Sequence, residues 1–459
     1  MNPSPRRRPT DRTFREHLIT TSEERPARPT TTTSGRPPAP RAHRTDDGRP
    51  GKAYTPLPRS YLLWLGGILA SLAGNAVFYF ALGWAASEHG GAVAGLVLSA
   101  VTLPRVLLLL IGGAVSDRVS ARYVLIAGDA AMLVFSLILA AVAYRLGAPP
   151  VLLIAAGVVL GIADAFYLPA SGSMPRRLVP KEQLPRALSL RQIGGQVINL
   201  GGGPLGGILV GIAGLAGASL VNAVTFALVL VVLVVVRPRH EVPPPPKGAS
   251  LLKDAADGVR VGFSHPVLRP GLLLTGVAAG FLLPILPLML PLLAREEHWG
   301  AGAAGLVVGA QGIGMVAVNL AVLRRGPLGR PGLLSALGLV LAGLGVLGLG
   351  LAPGTATAVA AATVIGLGNG LFSAHIAPLV LAATPETHLS RVQAVLVLVQ
   401  SLALLLMNNV LGNLAGLGGA AATVVGCAVV TIGIGVLGAL SKPLRNAHTD
   451  ADPAPARSG

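Results

Sequence analysis

Twelve apolar runs, each close to the length that carries a helix across a bilayer, occupy the chain between residues 61 and 440. A helix needs about 20 predominantly apolar residues to span the hydrocarbon core. The runs fall at about 61–86, 93–116, 122–144, 150–172, 190–212, 214–236, 268–293, 301–323, 332–352, 355–381, 392–414 and 417–440. Inside lipid, each backbone N–H and C=O must be satisfied by the protein itself, so uninterrupted apolar runs of this length fold as helices. Composition agrees. Charged residues make up 12% of the chain, against about 25% in a soluble domain. Sixty glycines and few aromatics suit closely packed membrane helices. The predicted fold class is an all-α membrane protein, with 12 transmembrane helices in two six-helix pseudo-repeat bundles.

The basic residues test that count. If the N-terminal tail is cytoplasmic, the links 2–3, 4–5, 6–7, 8–9 and 10–11 and the C-terminus share its side. All but Arg105, Arg145 and Arg295 of the 36 Lys and Arg then fall there, as the positive-inside rule requires. Both termini are therefore expected in the cytoplasm. The +17 formal charge reads as membrane topology, and no nucleic-acid partner is implied.

Residues 1–59, rich in Pro, Arg and Thr, carry no apolar periodicity and read as a disordered basic cytoplasmic tail. Residues 60–236 form the first bundle, 237–267 a cytoplasmic linker containing "EVPPPPKGAS", 268–441 the second bundle, and 442–459 a second tail. The halves repeat weakly at an offset of 205: Val159, Gly161, Pro180, Leu184 and Arg186 recur as Val364, Gly366, Pro385, Leu389 and Arg391, and Asp164 falls on Asn369. Both copies run in the same direction, as a parallel repeat demands. The lone cysteine, Cys427, sits in an apolar run and permits no intramolecular disulfide.

Two motifs carry a family resemblance. The link between runs 2 and 3, "GGAVSDRVSARYVL", places Gly113, Asp117, Arg118 and Arg122 at the spacing of the gating loop of the major facilitator superfamily. Run 5 carries "GGGPLGGILVG", in which Gly203, Pro204, Gly206 and Gly207 resemble the Gly-Pro-x-Gly-Gly motif of that superfamily's exporters, although Asn199 stands where a glycine is usual. Within the superfamily, "TLPRVLLLLIGGAVSDR" and "ADAFYLPASGSMPRRLVP" look most like the bacterial branch of macrolide-efflux and enterobactin-export proteins. The resemblance implies the major facilitator fold, transport by rocking of two halves, a bacterial plasma-membrane setting, and a latch in which Asp117 and Arg118 hold the outward-facing state.

The only Gly-Lys step, Gly51-Lys52, is followed by Ala53, so there is no phosphate-binding P-loop, nor is there a G-x-S-x-G elbow or an H-E-x-x-H pair. No enzymatic chemistry, cofactor or metal is implied. Three ionisable residues lie inside runs: Arg105, Asp129 and Asp164. Each costs about 2.5–3.5 kcal/mol at mid-membrane unless paired or hydrated. They read either as a buried ion pair tying runs 2, 3 and 4 together or as a proton site, Asp164 being the deeper acid. Asn75, Tyr79, Gln196, Asn199, Gln311, Asn369 and Gln400 are expected to line a modestly polar cavity without strong charge. Gly203, Gly207 and Gly211 lie four apart on one helix face, suited to close helix contact. The function these observations imply is secondary active transport. The leading form is a monomeric, proton-coupled antiporter that exports hydrophobic or amphipathic small molecules of the antibiotic or siderophore type, a drug-resistance activity. Small-molecule import is the alternative, and a non-transporting receptor or scaffold lies outside that class.

Overall fold

Eleven helical stretches among the described residues are long and apolar enough to cross a membrane, and one of them is two spans. Leu184–Val235 runs 52 residues, about 78 Å at 1.5 Å per residue, more than twice a hydrocarbon core. Gly214 breaks it with φ +59 and ψ −158, a left-handed backbone that glycine adopts without steric penalty. The neighbours prove a reversal. Before the break, Gly202 packs on Ala76 and Gly206 on Phe80; after it, Asn222 and Thr225 pack on Gly74 and Val232 on Gly67. The chain therefore ascends and then descends along the same partner helix.

The computed structural model describes residues 56–237, 259–326, 329–385 and 388–446; the predicted tails lie largely, and the centre of the linker wholly, outside them. The described residues belong to one unit that begins at Pro56. Its helices are α1 (Arg59–Ser87), α2 (Gly91–Val119), α3 (Ala121–Leu146), α4 (Pro150–Leu178), α5 (184–213) and α6 (215–235). The second set is α7 (Leu268–Glu296), α8 (Ala301–Arg325), α9 (Pro331–Gly350), α10 (Thr355–Ala382), α11 (Leu389–Gly418) and α12 (Ala420–Leu440). These edges fall within a few residues of those read from hydrophobicity.

Equivalent helices of the two sets pack alike. Gly161 of α4 seats against the Val101 carbonyl of α2, and Gly366 of α10 against the Gln311 carbonyl of α8. The two glycines are the pair that recurs at the 205-residue offset. Backbone meets backbone at both places, which only a residue without Cβ allows.

Helix α7 departs from α-geometry, with π-turns over Ala278–Leu282 and Ile285–Met289. Its sequence, "FLLPILPLMLPLL", carries Pro284, Pro287 and Pro291. Each proline lacks an N–H and clashes with the preceding turn, so the ladder widens to i→i+5 bonds. The Pro287 carbonyl then stands 2.8 Å from where a Cβ on Gly83 of α1 would be, so the irregular helix seats directly on the first bundle.

Candidate functional site

The two sets of helices meet mainly at the end where α1 turns into α2. There α2 lies against α11: Gly91 abuts Gly412, Gly95 abuts the Asn408 carbonyl, and Asn409 Nδ2 donates to Ser99 Oγ at 2.6 Å. Likewise α5 lies against α8, with Gly203 and Gly207 seated on Gly305, Val308 and Ala301. Gly211, expected on the same seam, meets nothing within 4 Å. Gly206 instead faces α1, so the glycines of α5 serve two faces. Pro204 packs its ring on Gly309 of α8.

Arg295 closes this end. It donates to Ser87 Oγ at 2.6 Å and to the Trp84 carbonyl at 2.9 Å, pairs with Glu88 Oε1 at 2.9 Å, and stacks 4.7 Å from the Trp84 ring centroid. Beside it, Glu296 accepts from the Ala420 and Ala421 backbone N–H groups at 2.7 and 3.3 Å. A carboxylate there satisfies orphan donors at the N-terminus of α12 and suits its dipole.

Toward the opposite end, a cavity of about 680 Å³ lies between α1, α4 and α5. Four of the predicted cavity residues line it: Asn75 and Tyr79 from α1, Gln196 and Asn199 from α5. Gln311, Asn369 and Gln400 are half-buried in the other set of helices and are not among its lining residues. Asp164 lies on the wall. Its Oδ2 accepts from Tyr79 Oη at 2.7 Å and faces Arg105 Nη1 at 3.8 Å. The Arg105 pair is therefore made with Asp164 and links α2 to α4. Asp129 of α3 stands apart: it is fully buried, and neither carboxylate oxygen has a hydrogen-bond partner.

Sequence reasoning did not place Arg191 or Tyr167 on the wall. Arg191, counted only as a topology anchor, lines the cavity, donates to the Ser171 carbonyl at 3.3 Å and lies 5.8 Å from the Trp64 ring centroid. Tyr167 also lines it. A helical register three residues from Asp164 was the available signal.

The predicted gating-loop residues lie at the other end from Arg295. Gly113, Asp117 and Arg118 occupy the last turns of α2; Ser120 follows with φ +104, and Arg122 opens α3. The Asp117 side chain lies outside the described residues, and Arg118 is exposed. Arg122 donates to the carbonyls of Leu233, Val234 and Val236 at 2.9, 2.9 and 3.1 Å, capping the C-terminus of α6, where a cation meets both unpaired acceptors and the negative dipole end. Among the described residues no group of three or more His, Cys, Asp or Glu is arranged to hold a metal.

Several solved structures share this architecture. A bacterial homologue of the human lysosomal transporter Spinster, inward-facing and unoccupied, aligns with a TM-score of 0.68 at 14% identity, covering 84% of this chain and 98% of its own. A point mutant of the nucleoside transporter NupG aligns at 0.67 and 11% identity, over 83% of this chain and 100% of its own. A D-xylose–proton symporter aligns at 0.63 and 13% identity, over 84% and 99%. No curated protein matches the sequence significantly. The sequence profile described as Major Facilitator Superfamily matches residues 63–408, three quarters of the chain and nearly all of its helices. With eleven membrane-length stretches among the described residues, one of them two spans, the chain belongs to the major facilitator superfamily and is a membrane transporter, not an enzyme.

Proposed function

We propose that this transporter is a monomeric, proton-coupled exporter of hydrophobic or amphipathic small molecules in a bacterial plasma membrane, working as an antiporter in drug or siderophore efflux. The observation that carries the reading is the cavity wall. Apolar residues of α1 and α4 surround amide and hydroxyl groups, while its acid, Asp164, is engaged by Arg105 and Tyr79 and its cation, Arg191, by the Ser171 carbonyl and the Trp64 ring. Such a wall suits a bulky solute without strong charge. The bias of basic residues puts the α2–α3 end in the cytoplasm, so the cavity opens inward and the Arg295 end faces outside. The Gly203–Gly207 motif of α5 favours export by its resemblance to exporters. A D-xylose–proton symporter among the similar structures keeps uptake as the second reading.

Asp164 is the acid placed to exchange a proton with the cavity. It lines the cavity and Asp129 does not, and at 3.8 Å from Arg105 its ion pair is loose enough to be broken and remade. One proton crossing 100 mV contributes about 2.3 kcal/mol, enough for a solute gradient of about 50-fold at 1.4 kcal/mol per tenfold. On this reading, Asp117 and Arg118 latch the outward-facing state. The test is a vesicle efflux panel of dyes, macrolides and siderophores, with and without a pH gradient. Gradient-driven efflux lost in Asp164→Asn is expected. Efflux that survives collapse of the gradient, or that is unchanged in both Asp164→Asn and Asp129→Asn, overturns the proton role. Hypersensitive cells left hypersensitive by expression overturn export.

A further inference from the structure

The last turn of α1 is a receptor with its ligand in place, and the ligand belongs to the other set of helices. Trp84, Ser87 and Glu88 stand at positions i, i+3 and i+4, so one face of the helix carries all three. Arg295 of α7 is the occupant. Its Nε donates to Ser87 Oγ at 2.6 Å, and its Nη2 donates to the Trp84 carbonyl and to Glu88 Oε1, both at 2.9 Å. Its guanidinium carbon lies over the Trp84 ring, 4.7 Å from the centroid. Three acceptors along the edge of a flat cation and an aromatic ring beneath it select a guanidinium over a compact ammonium.

The receptor is built without help from its occupant. The Ser87 hydroxyl donates to the Trp84 carbonyl at 2.7 Å, which keeps its lone pairs for a donor from outside the helix. Phe80, also on α1, stacks parallel to the Trp84 ring with the planes 9° apart. The C-terminal end of a helix carries the negative end of its dipole and favours a cation. Parting the two sets of helices at this end therefore withdraws the cation and leaves its acceptors standing. Glu88 is half exposed, within reach of a solute. Beside it lies a cavity of about 360 Å³, lined by Trp84, Glu88, Tyr144, Val210 and Leu215 but not by Arg295. It gives room for a body that the arginine side chain does not have.

We propose that Trp84, Ser87 and Glu88 form a binding site for a guanidinium-bearing solute, which competes with Arg295 and holds this end of the transporter open. A ligand that can enter only after Arg295 has left shifts the population toward the open form. The site is separate from the central cavity, so the inference goes beyond the transport reading and stands whichever cargo is carried and in whichever direction.

The probe is benzylguanidinium, with benzylurea as its flat uncharged counterpart, added to the full-length protein in lipid nanodiscs. Two readouts are needed: binding of tritium-labelled probe, and the distance between spin labels at the exposed residues Leu146 and Leu351 after Cys427→Ser. Saturating benzylguanidinium is expected to lengthen that distance, and benzylurea at the same concentration is expected to leave it alone. Glu88→Gln should weaken binding about tenfold (about 1.4 kcal/mol), and Arg295→Gln, which removes the competitor, should tighten it about tenfold. Unchanged binding in folded Glu88→Gln protein overturns the proposal. So does binding that leaves the distance unaltered, or that benzylurea matches. Loss of binding in Asp164→Asn overturns it too, because the cation would then sit in the central cavity.

Discussion

Adding one methyl group to Gly207 should reopen the end of the molecule that Arg295 closes. In the observed conformation a Cβ there would stand 2.5 Å from the Ala301 carbonyl oxygen and 2.9 Å from the Gly305 Cα. Both are backbone atoms of α8 and cannot rotate aside, so the helices must part by most of an ångström. Overpacking of this kind costs about 1–3 kcal/mol, whereas the conformation in which α5 and α8 have separated feels no clash. The equilibrium should therefore move toward the open state by about 5-fold to 150-fold. Gly211→Ala supplies the control: it lies one turn on along α5 and meets nothing within 4 Å, and it makes the same intrinsic contribution of about 1 kcal/mol to helix propensity. The measurement is the distance between spin labels at Leu146 and Leu351, exposed residues at the closing end, after the buried Cys427 has been changed to Ser. Gly207→Ala should lengthen that distance and Gly211→Ala should leave it alone. Identical distance distributions for the two variants, both folded, would refute the argument that backbone contact at this seam sets the conformation.

Arg295→Gln should loosen the same end more than Glu88→Gln. The half-exposed ion pair alone is worth about 0.2–1 kcal/mol, but Arg295 also donates to Ser87 and Trp84, and the spin-label distances would register the inequality. Arg122→Ala should lower the melting temperature by removing a cap worth about 1–2 kcal/mol from α6, with Arg122→Lys restoring only part of it, because a lysine cannot span three carbonyls with a rigid fork. Equal melting temperatures for wild type and Arg122→Ala would count against the cap. Asp129→Leu should raise the melting temperature, since it removes a fully buried carboxyl group that has no partner; a lower value would mean that Asp129 makes a stabilising contact in another conformation. Tyr79→Phe deletes one of the two groups that hold Asp164 and should weaken gradient-driven efflux less than Asp164→Asn does, as paired transport assays would reveal.

Helix number and placement were readable from the chain because the bilayer imposes one length and one hydrogen-bonding solution on every span. Even the α5–α6 reversal at Gly214 matched a run boundary at 212–214. Partner choice was not readable. Depth along the helices allowed Arg105 to reach either acid, and the selection of Asp164 depends on how α2 and α4 seat at Gly161 and Gly112, each against a backbone carbonyl. Arg122 read as a topology anchor and gating residue, yet its contacts are the last carbonyls of α6, more than 100 residues away. The three prolines of α7 were visible, but their outcome as π-turns depended on a neighbouring helix ready to receive the widened backbone. The polar residues Gln311, Asn369 and Gln400 lie in the second set of helices, away from the cavity between α1, α4 and α5, and a span's polarity alone does not tell a cavity residue from one that serves contacts between helices.

The seams at Gly91–Gly412 and Gly207–Gly305 join main chain to main chain, and this bears on how such a protein can diversify. At those two contacts glycine meets glycine, so no rotamer is frozen there, and the side chains that close the same end, Arg295 and Asn409 among them, lie outside the cavity lining. The cavity walls on α1 and α4 are separate from those seams. Substitutions can therefore redraw the chamber for a new solute while the door keeps its fit.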